Sequence, residues 1–253
     1  MKRVLVLGRN SRSTKLLLSV LVKEGYNVSL IEERRDDKLY LLKRRIKRFG
    51  FFVVFSQLLF MFFIRLQAKS RKVITRLNEV ESSVIDKAVN ITPSNVFANI
   101  NDIKSIEAIK NTEFDYIILS GTRILSSSLL SQIQCPILNI HAGINPAYRG
   151  LHGGYWALAN HQPELFGSTI HLVDEGVDTG AVLSHALTTP TSNDNFSTYP
   201  LLQMSIAMQY LPKVLYNLSE GEKNNFIPEL PSNIWSHPTI WQYAINRFKN
   251  GIK

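Results

Sequence analysis

The residues best suited to chemistry are concentrated between positions 137 and 180, in the stretch ILNIHAGINPAYRGLHGGYWALANHQPELFGSTIHLVDEGVDTG. The stretch begins with a short apolar run, Ile137 to Ile140, which is typical of a buried strand. Asn139 and His141 lie on one side of this predicted strand, because strand side chains repeat every two residues. An amide and an imidazole placed in this way can both donate hydrogen bonds to one developing oxyanion.

Two acids follow a second predicted strand, Ser168 to Val173, in the sequence DEGVDTG. We expect Asp174 and Asp178 to meet Asn139 and His141 at one edge of a sheet, where a carboxylate can keep the imidazole charged. No Ser or Cys nucleophile stands in a matching position, which favours direct acyl transfer to an amine or water over a covalent acyl-enzyme. The alternative is that these residues close turns, fill the core and cap loops. Their joint spacing favours the catalytic interpretation.

The loop between the two strands is rich in glycine. Tyr148-Arg149-Gly150 precedes Gly153 and Gly154, and a backbone of this kind can approach a ligand closely. A short helix is predicted from Gly154 to about His161.

These motifs together resemble the folate-dependent formyltransferases, a family that includes phosphoribosylglycinamide formyltransferase, the catalytic domain of methionyl-tRNA formyltransferase and the sugar N-formyltransferases. The resemblance spans roughly residues 115–190 and rests on Asn139-Ile140-His141, Tyr148-Arg149-Gly150 and the segment from Asp174 to Gly180. It implies a Rossmann-like three-layer α/β formyltransferase domain with a mostly parallel sheet. The usual His-Pro-Ser of the family is His141-Ala142-Gly143 here, so the resemblance does not specify how the acceptor-facing loop contacts its ligand.

The resemblance also implies the roles of individual residues. N10-formyltetrahydrofolate is the implied formyl donor, with Asn139, His141 and Asp178 as the catalytic residues. The implied folate contacts are Leu119, Arg123, Ile124 and Leu125, whose loop binds the pterin largely through its backbone, together with Asp174 and Val177 of the second loop. The implied acceptor contacts are Arg9, Asn10, Tyr148, Arg149 and Gly150.

The N-terminal region reads as a βαβ unit. It comprises a strand from Lys2 to Leu7, a helix capped by Ser13 and ending near Glu24, and a strand near Val28 to Ile31. The connecting loop has one glycine, Gly8, and therefore lacks the dinucleotide-binding fingerprint. The loop could hold an anion at the helix N-terminus, which would suit a phosphorylated or nucleotide-linked acceptor, or it could be a plain turn.

Composition limits the remaining choices. A chain of 253 residues, 45% of them apolar, can build one sizeable core, so one main domain is expected. We assign 1–190 to the catalytic domain, with a basic and apolar helical insertion at about 41–76, and 191–253 to a C-terminal helix and aromatic tail. The single cysteine, Cys135, excludes a disulfide framework, and no Cys/His cluster has metal-ligand spacing. The N-terminal apolar run is too short for a signal peptide, so a cytoplasmic location is expected.

Positive charge is concentrated in the insertion. Between Arg34 and Arg76 there are 13 Lys or Arg against two Asp, a net +11 compared with +9 for the whole chain. The apolar part, Phe51 to Ile64, is shorter than the roughly 20 residues of a spanning helix. Burial in the core or between subunits is the favoured interpretation, and peripheral contact of 41–76 with an anionic inner membrane surface is the alternative. Nucleic acid is disfavoured, because the aromatic residues are not interleaved with the basic ones.

Several functions compete. An N-formyltransferase acting on an amino sugar of surface-polysaccharide (lipopolysaccharide) synthesis is preferred, with a small-molecule acceptor and a homodimer as an open possibility. A phosphoribosylglycinamide-type enzyme would lack a use for the insertion. A formyltetrahydrofolate hydrolase would need an N-terminal regulatory domain, for which we expect no room. Methionyl-tRNA formyltransferases resemble this region but carry a sizeable C-terminal domain, whereas about 65 residues follow Thr188. A non-catalytic folate or sugar binder is disfavoured by the intact catalytic motif.

Overall fold

The computed structural model describes residues 1–34, 37–222 and 225–253. Across these residues the strands are β1 Arg3–Gly8, β2 Asn27–Glu33, β3 Asn95–Phe97, β4 Tyr116–Ser120, β5 Ile137–His141, β6 Arg149–Gly150, β7 Gly167–Leu172, β8 Val182–Leu187 and β9 Ile234–Trp235. The α-helices are α1 Arg12–Lys23, α2 Lys38–Phe49, α3 Phe51–Gln67, α4 Arg71–Ser82, α5 Ile103–Lys110, α6 Ser127–Leu130, α7 Gly153–Ala159, α8 Tyr199–Ser219 and α9 Ile240–Asn250.

The central sheet of the described chain has the strand order β3-β2-β1-β4-β5-β7-β8. The first five of these strands run parallel to one another, whereas β7 runs antiparallel to both β5 and β8. β6 and β9 form a separate two-stranded ribbon. The prediction of a mostly parallel α/β sheet is therefore confirmed.

Two hydrophobic layers cover the faces of this sheet. Val4 and Val6 of β1 face a core formed with α1 and α8, while Leu5 and Leu7 face a second core formed with α5 and α6. All four side chains are fully buried. Because both faces are covered, β1 reads as a continuous apolar run without polar alternation. The observed arrangement is the expected three-layer one.

The first helix begins earlier than predicted. Its N-cap is Ser11, whose hydroxyl accepts a hydrogen bond from the Thr14 amide, and Ser13 already lies within the helix. The prediction of Ser13 as the cap was wrong, because both serines are suitable cap residues and only the backbone geometry distinguishes them.

The basic and apolar insertion forms three helices, α2 to α4. Only one face of α3 is buried, with Val54, Gln57 and Phe60 packed inward. Most of its other large apolar side chains are exposed, so burial of the segment in the core of this chain was wrong as a prediction. Burial between subunits, the other form of the favoured prediction, stays a prediction. The packing of a helix decides which of its side chains are buried, and composition does not specify that packing. Arg35 and Asp36, which belong to the charged segment, lie outside the described residues.

No single helix in the described ranges is long and apolar enough to cross a bilayer. The consecutive pair α3 and α4 meets the length and composition criteria jointly, with a bend of 78° between them.

The C-terminal region packs on the sheet and on the insertion. α8, which is the predicted C-terminal helix, lies against β7 and β8, and α9 contacts α3. Trp235 of β9 stacks on Tyr148 and Trp156. Asn224, where the sequence places the beginning of the aromatic tail, is outside the described residues. The strands β3, β6 and β9 were not predicted, because runs of two or three residues carry no periodicity.

Candidate active site

The predicted motif residues converge on one cavity of about 380 Å³. Asn139 and His141 reach it from β5, and His171 reaches it from the adjacent strand β7. Asn139 and His171 are opposite each other in the antiparallel pair, with the Asn139 amide nitrogen 3.1 Å from His171 Nε2. His171 Nδ1 lies 2.7 Å from the Leu172 carbonyl and therefore donates to it. In the neutral ring Nε2 is then an acceptor for the Asn139 amide.

His141 is held by a backbone carbonyl. Its Nε2 donates a hydrogen bond of 2.7 Å to the Tyr148 carbonyl, so Nδ1 is the ring atom that faces Asp178, at 3.4 Å from Oδ2. Gly143 makes this geometry possible, because a Cβ there would collide with the Tyr148 carbonyl and the His141 ring. The glycine that replaces the usual serine thus lets the loop close tightly around the histidine.

Asp178 connects β5 to the loop that contains Gly150. One carboxylate oxygen accepts from the Asn139 amide at 3.2 Å, and the other accepts from the Gly150 amide at 2.9 Å. Because β7 is antiparallel to β5, the loop after it leaves beside Ile137, where the Val173 amide bonds to the Ile137 carbonyl. The loop then folds back along β5 so that Asp178 reaches His141. The expected meeting of residues is confirmed, but it depends on this fold-back and not on two strands ending at one edge.

Burial and the neighbouring groups have opposite effects on the pKa values of His141 and Asp178. Burial lowers the pKa of His141, and the nearby Asp178 carboxylate and the Tyr148 carbonyl raise it by less. Burial would raise the pKa of Asp178, but the His171 ring, His141 and the Gly150 amide bring it down to about 2. The site therefore combines an ionised carboxylate with a histidine that favours its neutral form. The expectation that Asp178 keeps His141 charged is not met in this structure.

The predicted folate contacts all line the cavity: Leu119, Arg123, Ile124, Leu125, Asp174 and Val177. The Arg123 side chain turns away from it to the buried carboxylate of Glu33, 2.5 Å away, and to the Ala98 carbonyl. Glu33 also accepts from the Arg123 amide at 2.9 Å. The loop consequently presents its backbone to the cavity, which fits a ligand recognised through backbone groups.

Asp174 organises its own loop. Its Oδ1 accepts from the Gly176 amide at 3.0 Å and from the Thr179 hydroxyl at 2.7 Å. This carboxylate lines the cavity, but its hydrogen bonds fix the turn that carries Asp178.

Only some of the predicted acceptor contacts lie at the main cavity. Gly150 lines the cavity, with φ of 89° and no room for a Cβ beside the Trp235 carbonyl. Tyr148 is buried with its hydroxyl bonded to Gln162, so its side chain cannot reach a substrate. Arg149 donates to the Val177 carbonyl at 3.2 Å and braces the loop. The side chains of Tyr148 and Arg149 thus have structural partners here, and an acceptor contact by Arg149 stays a prediction.

Arg9 and Asn10 line a different cleft, of about 160 Å³, at the start of α1. Arg9 lies 3.4 Å from the buried Glu33 carboxylate. The structure therefore does not bring these two residues to the main cavity, and Arg9 balances a buried charge.

Sequence reasoning missed three histidines and an acid near the site. His171 and His152 line the cavity, and His152 Nε2 lies 2.8 Å from His237 Nδ1. Burial lowers the pKa of His152 to about 3 and that of His237 to about 4. The alternation of β7 could have placed His171 on the face of Asn139, whereas His237 and Glu33 come from distant segments without a local signal.

Among the described residues, no group of three or more His, Cys, Asp or Glu side chains is placed to hold a metal ion.

The fold and the cavity define an α/β protein with an Asn, His and Asp cluster beside a backbone-lined loop. Comparison with known proteins gives the class: the formyl transferase family matches residues 67–213, more than half of the chain. The protein belongs to the formyl transferase family, as the sequence motifs predicted.

Individual relatives are more distant. A methionyl-tRNA formyltransferase of Trichormus variabilis is 31% identical over 122 residues, which are 48% of this chain and 36% of that protein. The chain thus spans about a third of the length of this curated relative. A sugar N-formyltransferase from Shewanella sp FDAARGOS_354 has a similar structure, with a TM-score of 0.57, 16% identity, and coverage of 93% of this chain and 76% of that chain. Glycinamide ribonucleotide transformylase 1 from Symbiobacterium toebii also has a similar structure, with a TM-score of 0.54 and 21% identity. The match covers 87% of this chain and 89% of that chain. These two likenesses establish the fold.

Proposed function

We propose that the protein is an N-formyltransferase that moves a formyl group from N10-formyltetrahydrofolate to the amine of an amino sugar, nucleotide-linked or otherwise phosphorylated. N10-formyltetrahydrofolate is the donor of this family. The observation that carries the proposal is the convergence of Asn139, His141 and Asp178 on the cavity lined by the backbone of 119–125. A cavity of about 380 Å³ is within the range of small-molecule sites.

Attack of the amine on the formyl carbon produces an oxyanion, and the attacking nitrogen must lose a proton. Collapse of the oxyanion then breaks the bond between the formyl carbon and N10, and tetrahydrofolate leaves with a proton on N10. The Asn139 amide is a suitable oxyanion donor, since a preorganised N–H stabilises charge that develops in the transition state. Both of its hydrogens are bonded here, to His171 and Asp178. For Asn139 to act on the formyl oxygen, one of these bonds has to be exchanged for a bond to that oxygen.

His141 and Asp178 are placed to remove the proton from the attacking amine. Nε2 of His141 is occupied by the Tyr148 carbonyl, which leaves Nδ1 to receive or donate a proton on the side of Asp178. The lowered pKa of His141 favours the neutral ring, which can accept the proton of the attacking amine. The ionised Asp178 then stabilises the imidazolium that forms.

The choice of acceptor rests on the predicted use of the insertion. The sugar N-formyltransferase and the glycinamide ribonucleotide enzyme have comparable TM-scores, so fold alone does not select between them. The α2–α3 segment is apolar and basic on its outer side, and surface-polysaccharide synthesis ends at a membrane. This is the reason to place an amino sugar of that synthesis first.

The test is an acceptor panel read by mass spectrometry. Purified protein is incubated with N10-formyltetrahydrofolate and amino-sugar nucleotides, glycinamide ribonucleotide, methionyl-tRNA or buffer alone. A mass increase of one formyl group on an amino-sugar nucleotide supports the proposal. Formylation only of glycinamide ribonucleotide or methionyl-tRNA, or release of formate in buffer, would overturn the acceptor assignment.

A further inference from the structure

The outer face of α3 is apolar where a water-exposed helix face is normally polar. Side chains at helical spacing on this face are between 44% and 84% exposed: Phe52, Phe55, Leu59, Phe62 and Leu66. The opposite face, with Val54, Gln57 and Phe60, is packed on the protein. The burial pattern therefore shows an anchored helix whose free side carries phenylalanine and leucine.

The neighbouring helix α9 continues this surface. Trp241, Ile245 and Phe248 recur at i, i+4 and i+7 and are between 53% and 84% exposed. Tyr243 of α9 is buried against Phe60 and Phe63 of α3, so the two helices are held together while both present apolar side chains outward. An apolar surface spread over two helices is typical of an interaction site.

Positive charge borders the same surface. α2 contains six basic residues and no acid, and no acid occurs between Lys38 and Asn78. α9 adds Arg247 and Lys249 and has no acid. Arg45 donates to the Gln57 side chain at 2.7 Å and thereby ties α2 to α3. Lys43, Arg44, Lys47 and Arg48 are exposed beside the apolar face.

We infer that α2, α3 and α9 bind the surface of an anionic lipid bilayer, with the outer side chains of α3 and α9 inserted at the interface and the basic residues of α2 at the head groups. Aromatic and leucine side chains flanked by Lys and Arg are the composition of an interfacial anchor. The apolar part supplies burial, and each cation near an anionic membrane adds attraction.

The charges disfavour a second copy of the chain as the occupant. A two-fold dimer brings two copies of the same patch together. Both α2 and α9 in this patch carry basic residues and no acid, so like charges would meet without acids to pair with them. α4, in turn, packs against α8 and holds Asp194 through Arg76, which fixes α3 beside the protein. The geometry thus favours a helix that lies on a bilayer over one that crosses it.

The test is sedimentation of the full chain with vesicles of phosphatidylcholine alone or mixed with phosphatidylglycerol, at low and high salt. We expect pelleting with the anionic vesicles, weakened by salt because screening reduces the electrostatic part. Replacing Lys43, Arg44, Lys47 and Arg48 by Gln should lower partitioning by about a thousandfold. The matched control removes the same charge elsewhere, with Lys15, Lys23, Lys104 and Lys110 replaced by Gln, and should pellet like the unmodified protein.

The apolar contribution is tested by Phe52→Ser, Phe55→Ser and Phe62→Ser together. These side chains are exposed, so the fold should persist by circular dichroism while pelleting is lost. Failure of the unmodified protein to pellet, or equal pelleting with neutral vesicles, would overturn the inference. A dimer in analytical ultracentrifugation that the three serines dissociate, in the absence of vesicle binding, would also overturn it and assign the surface to a second copy.

Discussion

The candidate active site and the α2–α3 segment are both unusual in composition, but their characteristic side chains point in opposite directions, inward in the site and outward in the segment. In the site, polar side chains from β5, β7 and two loops are turned toward one another, and Asn139 and His141 are bonded to protein groups. In the segment, apolar side chains of α3 are turned away from the protein. Chemistry that needs several groups at fixed spacing leaves a local pattern, whereas an apolar run does not reveal which surface will cover it.

Asp178→Asn is expected to have the largest effect on the site. Asn cannot provide the negative charge beside His141 or both acceptor oxygens, and it tolerates the left-handed backbone at this position (φ of 52°). We expect formyl transfer to be abolished at every pH, with circular dichroism unchanged. Asp174→Asn is the comparison: it should disturb the loop and donor binding and reduce turnover less. The reverse order would exchange the roles of the two acids.

Two phenylalanines of α3 sharpen the comparison between buried and exposed positions. Phe60 is 1% exposed and contacts Phe196 and Tyr243, so Phe60→Ala should cost about 3–5 kcal/mol of unfolding free energy. Phe52 is 84% exposed, and Phe52→Ala should change it by less than about 0.5 kcal/mol. Chemical denaturation measures both. Similar losses at the two positions would mean that the outer face of α3 is covered by protein.

The fold-defining motifs were predictable because their signals are local. The apolar runs indicated β1, β5 and β7, and the spacing of Asn139, His141 and Asp178 along the sequence indicated the cluster. The partners that hold these residues were not predictable in the same way. His171 depends on the register of an antiparallel pair, and Glu33 reaches Arg123 from a strand 90 positions away. Arg9 resembled an anion ligand because no local pattern reveals its buried partner.

Acid should weaken the fold through the buried histidine pair. The folded-state pKa of His152 is about 3 and that of His237 about 4, against the usual 6.5. Between about pH 6.5 and 4 the unfolded chain therefore binds protons that the folded chain does not, and the unfolding free energy falls as the pH falls. At about pH 5 the loss is about 2 kcal/mol for each histidine. The contribution of Asp178, whose pKa is about 2, is lost only at lower pH.

Denaturation curves at several pH values measure this effect. His152→Asn with His237→Asn should flatten the pH dependence, since Asn does not titrate and suits the left-handed backbone of residue 152. His161→Asn, at an exposed position that also has a positive φ, is the matched control and should leave the dependence unchanged. A slope that persists in the double variant would assign the acid sensitivity to other groups.

The central claim is tested most directly by single-turnover formyl transfer with saturating N10-formyltetrahydrofolate in Asn139→Ala and His141→Ala, with donor affinity measured separately. The account predicts a rate lowered by about a hundredfold or more in each variant, through loss of an oxyanion donor in Asn139→Ala and of the proton acceptor in His141→Ala, and a donor affinity largely kept. His161→Ala serves as the control for an exposed histidine. Near-normal rates in either site variant would contradict the assignment of this cluster as the catalytic one.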